Sequence, residues 1–297
     1  MEKVVIVSAC RTPIGKMPGS LNAFNEVQLM AACFAEAVKR CGRDNLQIDN
    51  SYVGCSFQTE RVNLCRKAIL AAGLPSTIPG STLTRTCISS MEALTQGAYS
   101  IMTGNAEAVL AGGVESMSNS PFVLSFFKKV TKAAIMDSAS PATHTESHGD
   151  SPNISAAQAN RYRQLPDFET GIREIDENEM QLFSELVARR HNISRTELDE
   201  YAMRTHTNAI AAYQKGLFQD EILPMEVQNN GEKRLFAKDE FIMERVNAGE
   251  FQNEPLFFVK DGIMTRLNSP PTADGAAAML LMSESRAKKE GLTPMAE

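Results

Sequence analysis

Several features are scarce or absent in this sequence of 297 residues, and each absence excludes a class of protein. No apolar run approaches the roughly 20 residues that a membrane-spanning helix needs. Lys and Arg number 30 against 36 Asp and Glu, a formal net charge of −6, and the longest basic cluster spans only residues 128–132. A nucleic-acid-binding protein needs a concentrated basic surface. We therefore expect no nucleic-acid partner and no membrane span.

Targeting and disulfide signals are also missing. Residues 1–7 lack the basic segment, the long apolar region and the cleavage site of a secretory signal. The cysteines show neither a CxxC pair nor a zinc-ligand spacing, which in a chain without a signal indicates free thiols. We expect a soluble, cytoplasmic protein with six free cysteines, at positions 10, 33, 41, 55, 65 and 87.

Hydrophobic residues make up 43% of the chain, enough for a buried core. Over the first 115 residues, segments with the spacing typical of strands alternate with segments that have the spacing typical of helices. Such alternation predicts a largely parallel sheet covered by helices, and hence an α/β fold. The expected strands are 3–9, 52–57, 81–86 and 107–111, and the expected helices are 26–41 and 89–103.

The pattern changes after residue 118. A Ser-, Thr-, Pro- and Gly-rich loop is followed by helices at 178–190 and 195–215 and by a polar stretch to about 262. A strand at 274–282 and a helix at 284–290 then resume the α/β pattern. We therefore predict an α/β domain formed by residues 1–118 and 263–297, interrupted by a mostly helical insertion at residues 119–262.

Cys87 is the strongest candidate for chemistry, because it follows a predicted strand and precedes the helix that begins near Ser89. The positive end of the helix dipole stabilises an anion, and the free N–H groups there could hold an oxyanion. Spacing alone leaves open the alternative that Cys87 is a small, unreactive core residue.

His144 and His148 stand four residues apart in the segment HTESH. The segment is rich in loop-forming residues and differs from the HExxH pattern of zinc sites on helices. A solvated loop is therefore the favoured interpretation, and we expect no metal site.

Four motifs, in this order along the chain, resemble those of the thiolase family. They are residues 10–16 (CRTPIGK), 86–90 (TCISS), 111–118 (AGGVESMS) and 274–278 (DGAAA), the last preceded by Asn268. Residues 194–224 are similar to the thiolase loop domain. The resemblance spans nearly the whole chain and implies a thiolase-like βαβαβ half, with residues 119–262 as the loop domain that binds coenzyme A.

The resemblance implies acyl transfer through Cys87 in fatty-acid metabolism. Cys87 would take the acyl group from a 3-ketoacyl-CoA or acetyl-CoA, and CoA or acetyl-CoA would accept it from the acyl-cysteine. Coenzyme A thioesters would be the substrates, with no further cofactor. Met180, beside Glu179 where the family has a His-Met pair, and Ser269, beside Pro270 where the family has a CoA-binding serine, are the candidate substrate- or CoA-binding residues.

The sequence departs from the family in its acid/base groups. Thiolases carry a Gly-His-Pro motif and a second cysteine in a Cys-x-Gly motif, within a C-terminal half that repeats the first, and neither motif occurs here. The resemblance thus implies a chain that lacks this repeat, either as a truncated or cleaved product or as one subunit whose partner supplies the missing half, and that need not be active alone. The expected partner is a second copy of the chain, in a homo-oligomer, or a complementing subunit with the C-terminal half. A CoA-binding or scaffold subunit without turnover and a decarboxylating condensing enzyme of the same superfamily remain alternatives.

Overall fold

The computed structural model of the chain describes residues 2–43, 45–56, 63–120, 180–229, 231–256 and 261–297. The chain divides into two compact units. The first comprises residues 1–121, 209–244 and 271–297, and the second comprises residues 122–208 and 245–270. Among the described residues, no helix is both long and apolar enough to cross a membrane.

Six of the strands in the described part of the chain form one sheet, in the order β1-β8-β5-β3-β4, with β2 paired to β8. Strands β6 and β7 form a separate hairpin. The strands are β1 (Val4–Arg11), β2 (Gly15–Lys16), β3 (Asn50–Gly54), β4 (Gly80–Leu83), β5 (Ala108–Ser116), β6 (Met225–Asn229), β7 (Glu232–Phe236) and β8 (Ala273–Ser283).

The sheet is mixed, so the expectation of a largely parallel sheet is wrong. Strand β3 is parallel to β4 and β5, as the strand–helix alternation predicts, but β8 is antiparallel to β1, β2 and β5. Helical crossovers favour parallel pairing only between the strands that they join. Strand β8 returns to the sheet from a distant part of the chain, so that rule does not set its direction.

In the described part of the chain, five helices agree with the ranges that the hydrophobic spacing predicts, whereas those at Leu64–Ala71 and Ala248–Asn253 lie outside the predicted ranges. Helix α1 begins at a capping box in which Asn25 and Gln28 each accept a backbone N–H of the other, and it ends at Gly42, which has φ = +67°. The helices are α1 (Glu26–Cys41), α2 (Leu64–Ala71), α3 (Ser89–Met102), α4 (Met180–Arg190), α5 (Arg195–Gln214), α6 (Ala248–Asn253) and α7 (Glu284–Lys289), with a short 3₁₀ helix at Met117–Asn119.

The polar stretch after residue 216 contains regular structure that the sequence analysis missed. In the β6–β7 hairpin, Met225, Val227 and Phe236 are buried and join the core of the first unit. Residues 209–244, which the predicted division at 118 and 262 assigns to the insertion, therefore lie in the first unit. Alternate apolar residues on a hairpin can bury one face even when the segment is polar overall.

Two carboxylates are buried in the described part of the second unit. Glu185 of α4 accepts the backbone N–H groups of Ile263 and Met264, at 3.0 and 2.8 Å. Asp199 of α5 pairs with Arg195 at 2.6 Å and accepts the side-chain amide of Asn268 at 2.9 Å. Each carboxylate is satisfied by several donors, as burial of a charge requires.

Candidate active site

Cys87 lies in the turn that joins the end of β4 to the start of α3, as the sequence predicts. The preceding residue, Thr86, has φ = +49°, a left-handed conformation that β-branched residues rarely adopt. The turn leaves the Cys87 side chain exposed, whereas the other five cysteines are buried. The alternative that Cys87 is a core residue is therefore wrong.

Hydrogen bonds to a single carbonyl oxygen hold this turn. The carbonyl of Thr86 accepts the Ser89 hydroxyl at 2.6 Å, the Ser89 backbone N–H at 3.0 Å and the Ser56 hydroxyl at 2.7 Å. The Ser89 hydroxyl in turn accepts the backbone N–H of Arg85 at 2.8 Å. The peptide group that immediately precedes Cys87 is thereby fixed in orientation.

Two glycines allow the first turn of α3 to lie directly on the sheet. A Cβ atom on Gly54, the last residue of β3, would collide with the backbone of Ser89, and one on Gly113 of β5 would collide with the side chain of Ser90. Only glycine permits such a close approach of backbones. Cys87 is consequently held close to the ends of the parallel strands.

A pocket of about 490 Å³ opens beside Cys87 within the first unit. Its carboxylates are engaged by neighbouring groups: Glu115 accepts the backbone N–H of Ser56 at 2.9 Å, and the fully buried Asp274 accepts the Ser118 hydroxyl at 2.6 Å. The lining residues are Arg11, Ile14, Gly54, Cys55, Ser56, Thr86, Cys87, Ser89, Ser90, Gly113, Val114, Glu115, Met117 and the segment 272–277.

The motifs that bear the resemblance meet at this pocket, since residues from all four line it. Residues 4–285 match the family of the thiolase N-terminal domain. The chain belongs to the thiolase family. A 3-ketoacyl-CoA thiolase of Bacillus subtilis (strain 168) is 32% identical over 99% of this chain and 69% of the relative, and one of Cronobacter sakazakii is 36% identical over 100% and 68%.

Solved thiolase structures share the fold. The Bacillus anthracis acetyl-CoA acetyltransferase has a TM-score of 0.78 at 33% identity, covering 99% of this chain and 68% of its own. The human mitochondrial 3-ketoacyl-CoA thiolase in complex with CoA has a TM-score of 0.78 at 28% identity, with the same coverage. The predicted thiolase-like α/β fold is thereby confirmed, and family membership supports the predicted acyltransferase class. The chain spans a little over two thirds of these relatives' lengths.

The other predicted site residues of this thiolase-family chain lie in the second unit. Met180 is the first residue of α4, and its side chain is 57% exposed. The hydroxyl oxygen of Ser269 is buried and has no hydrogen-bond partner within the described part of the chain. A buried hydroxyl without a hydrogen-bond partner is energetically unfavourable.

The histidines offer no metal site in the described residues. His144 and His148 of the HTESH segment lie outside those residues, while His191 and His206 belong to the second unit. Burial lowers the pKa of His206. Among the residues that the structure describes, no group of three or more His, Cys, Asp and Glu side chains could hold a metal ion.

Sequence reasoning missed two residues that shape the thiolase pocket, Ser56 and Glu115. Glu115 stands in the third motif, so its place in the pocket could have been inferred from the motif itself. Ser56 carries no signal in the sequence. It reaches Thr86, 30 residues further along the chain, only because β3 and β4 pair in parallel and bring their carboxyl ends together.

Proposed function

We propose that this chain transfers acyl groups between coenzyme A thioesters, with Cys87 as the nucleophile. The observation that carries the proposal is an exposed thiol at the N-terminus of α3, in the wall of a pocket where the four thiolase motifs meet. The names of its relatives, 3-ketoacyl-CoA thiolase and acetyl-CoA acetyltransferase, support these substrates.

In the first half-reaction, the sulfur of Cys87 attacks the carbonyl carbon of acetyl-CoA. A bond forms between this sulfur and the acetyl carbon, the bond from that carbon to the CoA sulfur breaks, and the cysteine proton ends on the CoA thiol. The exchange of one thioester for another is nearly balanced in energy, because attacking and leaving thiols have similar basicity. An acyl acceptor, CoA or acetyl-CoA, then removes the acyl group.

Ser269 and Met180 are proposed to contact the CoA portion of the substrate. Support comes from the unpartnered buried hydroxyl of Ser269 and from the exposure of Met180. We expect Ser269→Ala to weaken CoA binding, measured by titration calorimetry, without slowing acetylation of Cys87 by a small ester that lacks CoA. Unchanged CoA affinity in this variant would remove Ser269 from the site.

The second half-reaction needs a general acid/base, which contributes about 10²- to 10⁴-fold in rate. None of the residues described at the pocket is a histidine, and its two carboxylates are already engaged by neighbouring donors. We propose that a partner, either a second copy of the chain or a subunit with the C-terminal half of the fold, supplies this group.

The decisive experiment is incubation of the chain with acetyl-CoA, followed by intact mass spectrometry. We expect one acetyl group per chain, none in Cys87→Ala, and no change in the control Cys41→Ala, whose thiol is buried away from the pocket. A chain that binds CoA and is never acetylated would contradict the proposal and would instead identify a CoA-binding subunit without turnover.

A further inference from the structure

We propose that Ser56 is a positioning residue for the reaction of Cys87, an inference that rests on the proposed acyl transfer. Its hydroxyl fixes the peptide group between Thr86 and Cys87, and so aims the backbone N–H of Cys87 at the site where negative charge develops. The bond that carries the inference joins the Ser56 hydroxyl to the Thr86 carbonyl at 2.7 Å.

The orientation of this N–H follows from the planarity of the peptide bond. In a trans peptide, the carbonyl and the N–H point in opposite directions. The Thr86 carbonyl points at Ser56 and Ser89, so the N–H of Cys87 points away from both of them. When a thiolate attacks a carbonyl group, an oxyanion forms next to the attacking sulfur, and a preoriented N–H there stabilises it.

The turn needs such an anchor because of its backbone conformation. Thr86 has φ = +49°, and a non-glycine residue stays in this region only where surrounding bonds hold it. The Thr86 carbonyl accepts two donors from Ser89, its hydroxyl and its backbone N–H, and one from outside α3, the Ser56 hydroxyl.

Ser56 and Ser89 have different roles at the Thr86 carbonyl. Ser89 belongs to α3 and bonds Thr86 three residues away, so it shapes the turn locally. Ser56 follows β3, and its own backbone N–H is held by the Glu115 carboxylate of β5 at 2.9 Å. The Ser56 bond therefore ties the turn to the sheet and to the pocket wall, which sets the position of Cys87 relative to a bound substrate.

The test compares two reactions of Cys87 in the whole chain. Acetylation by p-nitrophenyl acetate passes through an oxyanion and needs no CoA, whereas alkylation by iodoacetamide, a displacement at a saturated carbon, forms none. In Ser56→Ala we expect acetylation to slow by about tenfold, less than the 10²- to 10³-fold loss caused by removing an oxyanion donor outright, because Ser89 remains. Alkylation should keep its wild-type rate.

Matched variants separate positioning from folding. Threonine and valine have similar shapes and differ in the hydroxyl. Ser56→Thr should therefore keep the wild-type acetylation rate, and Ser56→Val should slow acetylation about as much as Ser56→Ala, even if the alanine variant is destabilised. Ser8→Ala, which removes a hydroxyl-to-carbonyl bond of 2.6 Å to Ala37 remote from the turn, should react like the wild type.

Equal acetylation of Ser56→Val and Ser56→Thr, or a parallel loss of acetylation and alkylation, would overturn the inference. Failure of the proposed function is a separate result: a wild-type chain that acetyl-CoA does not acetylate. In that case the acetylation rates of the Ser56 variants with p-nitrophenyl acetate still test the role of Ser56, because this ester requires only an accessible Cys87.

Discussion

At the scale of single residues, exposure separates Cys87 from the other thiols of the chain. Burial raises the pKa of the Cys65 thiol to about 11 and also raises the pKa of Cys41, because a thiolate loses its hydration in an apolar environment. The thiol of Cys10 is engaged with the backbone carbonyl of Cys33 at 3.3 Å. Access thus favours reaction at Cys87, and the raised pKa values of Cys41 and Cys65 further disfavour reaction at those two thiols.

We expect a disulfide reagent at about pH 8, below the ordinary thiol pKa of about 8.5, to modify one thiol rapidly in the native chain and the remaining five only after unfolding. Burial raises the pKa of Cys65 to about 11 and keeps this thiol protonated in the native chain, so it should react only once unfolding exposes it. Stopped-flow absorbance measures the rates. A fast phase that persists in Cys87→Ala would contradict this assignment.

At the scale of secondary-structure elements, the approach of α3 to the sheet depends on glycine. Gly54 permits a backbone contact with Ser89 that any side chain would block. The same contact places Ser56, two residues later, within reach of the Thr86 carbonyl. Packing of α3 on the sheet and the position of the Cys87 thiol therefore both depend on glycine at position 54.

Gly54→Ala should destabilise the chain by about 3 kcal/mol, at the upper end of overpacking effects, and should slow acetylation of Cys87 because the turn must move. Urea unfolding and the ester assay measure the two effects. Gly73→Ala is the matched control, since Gly73 has φ = +70° and no atom lies near its missing Cβ. The only expected cost of that substitution is about 1 kcal/mol for the unfavourable backbone conformation. Equal destabilisation by both variants would refute the close-contact explanation.

A second element-level contact connects β1 to the segment that contains the hairpin. The Arg11 guanidinium makes two bonds to the Asp239 carboxylate, at 2.8 and 3.1 Å, and one to Glu221 at 2.8 Å. Planar, two-point pairing of this kind is specific to arginine, because the lysine ammonium is a point charge.

Arg11→Lys should therefore lower the free energy of unfolding by about 1–2 kcal/mol, as hydrogen bonds to a half-buried carboxylate are lost. Denaturant melts at constant salt measure this loss. The control, Arg234→Lys, alters an exposed arginine that bonds the Ser20 hydroxyl and should change stability by less than about 0.5 kcal/mol. Comparable losses in both variants would argue against two-point pairing as the cause.

At the scale of the whole molecule, α3 and the residue that precedes it carry large apolar side chains that no other described part of the chain covers. Ile88, Met91 and Tyr99 are 48%, 65% and 55% exposed. Exposed apolar side chains that lie close together are typical of interaction sites. It agrees with the expectation that this half of a thiolase fold packs against a partner.

We expect the chain to self-associate in solution, and Met91→Glu to weaken the association at least tenfold, because a charge would be buried at the contact. Sedimentation velocity over a range of protein concentrations measures this change. Leu70→Glu places the same charge on α2 at a residue that is 50% exposed and should leave association unchanged. A wild-type chain that is monomeric at all concentrations would contradict the expectation.

The sequence by itself predicted most of the local elements and singled out the candidate nucleophile. Helical spacing and the capping residues placed α1 at residues 26–41 and α3 from Ser89, and the motifs singled out Cys87. Even the missed hairpin has a local signal, the Asn-Gly pair at residues 230 and 231, which is typical of tight β-turns. These features depend on neighbours along the chain, so the sequence records them directly.

Only the tertiary structure decided the antiparallel direction of β8, the burial of Met225 and Phe236 in the core of the first unit, and the bond from Ser56 to Thr86. Each depends on residues far apart in the chain, whose meeting is set by the order of strands in the sheet. A periodic pattern shows which face of an element is buried but not which element covers it. For that reason Cys87 could be found from the sequence, whereas the residue that holds it in position could not.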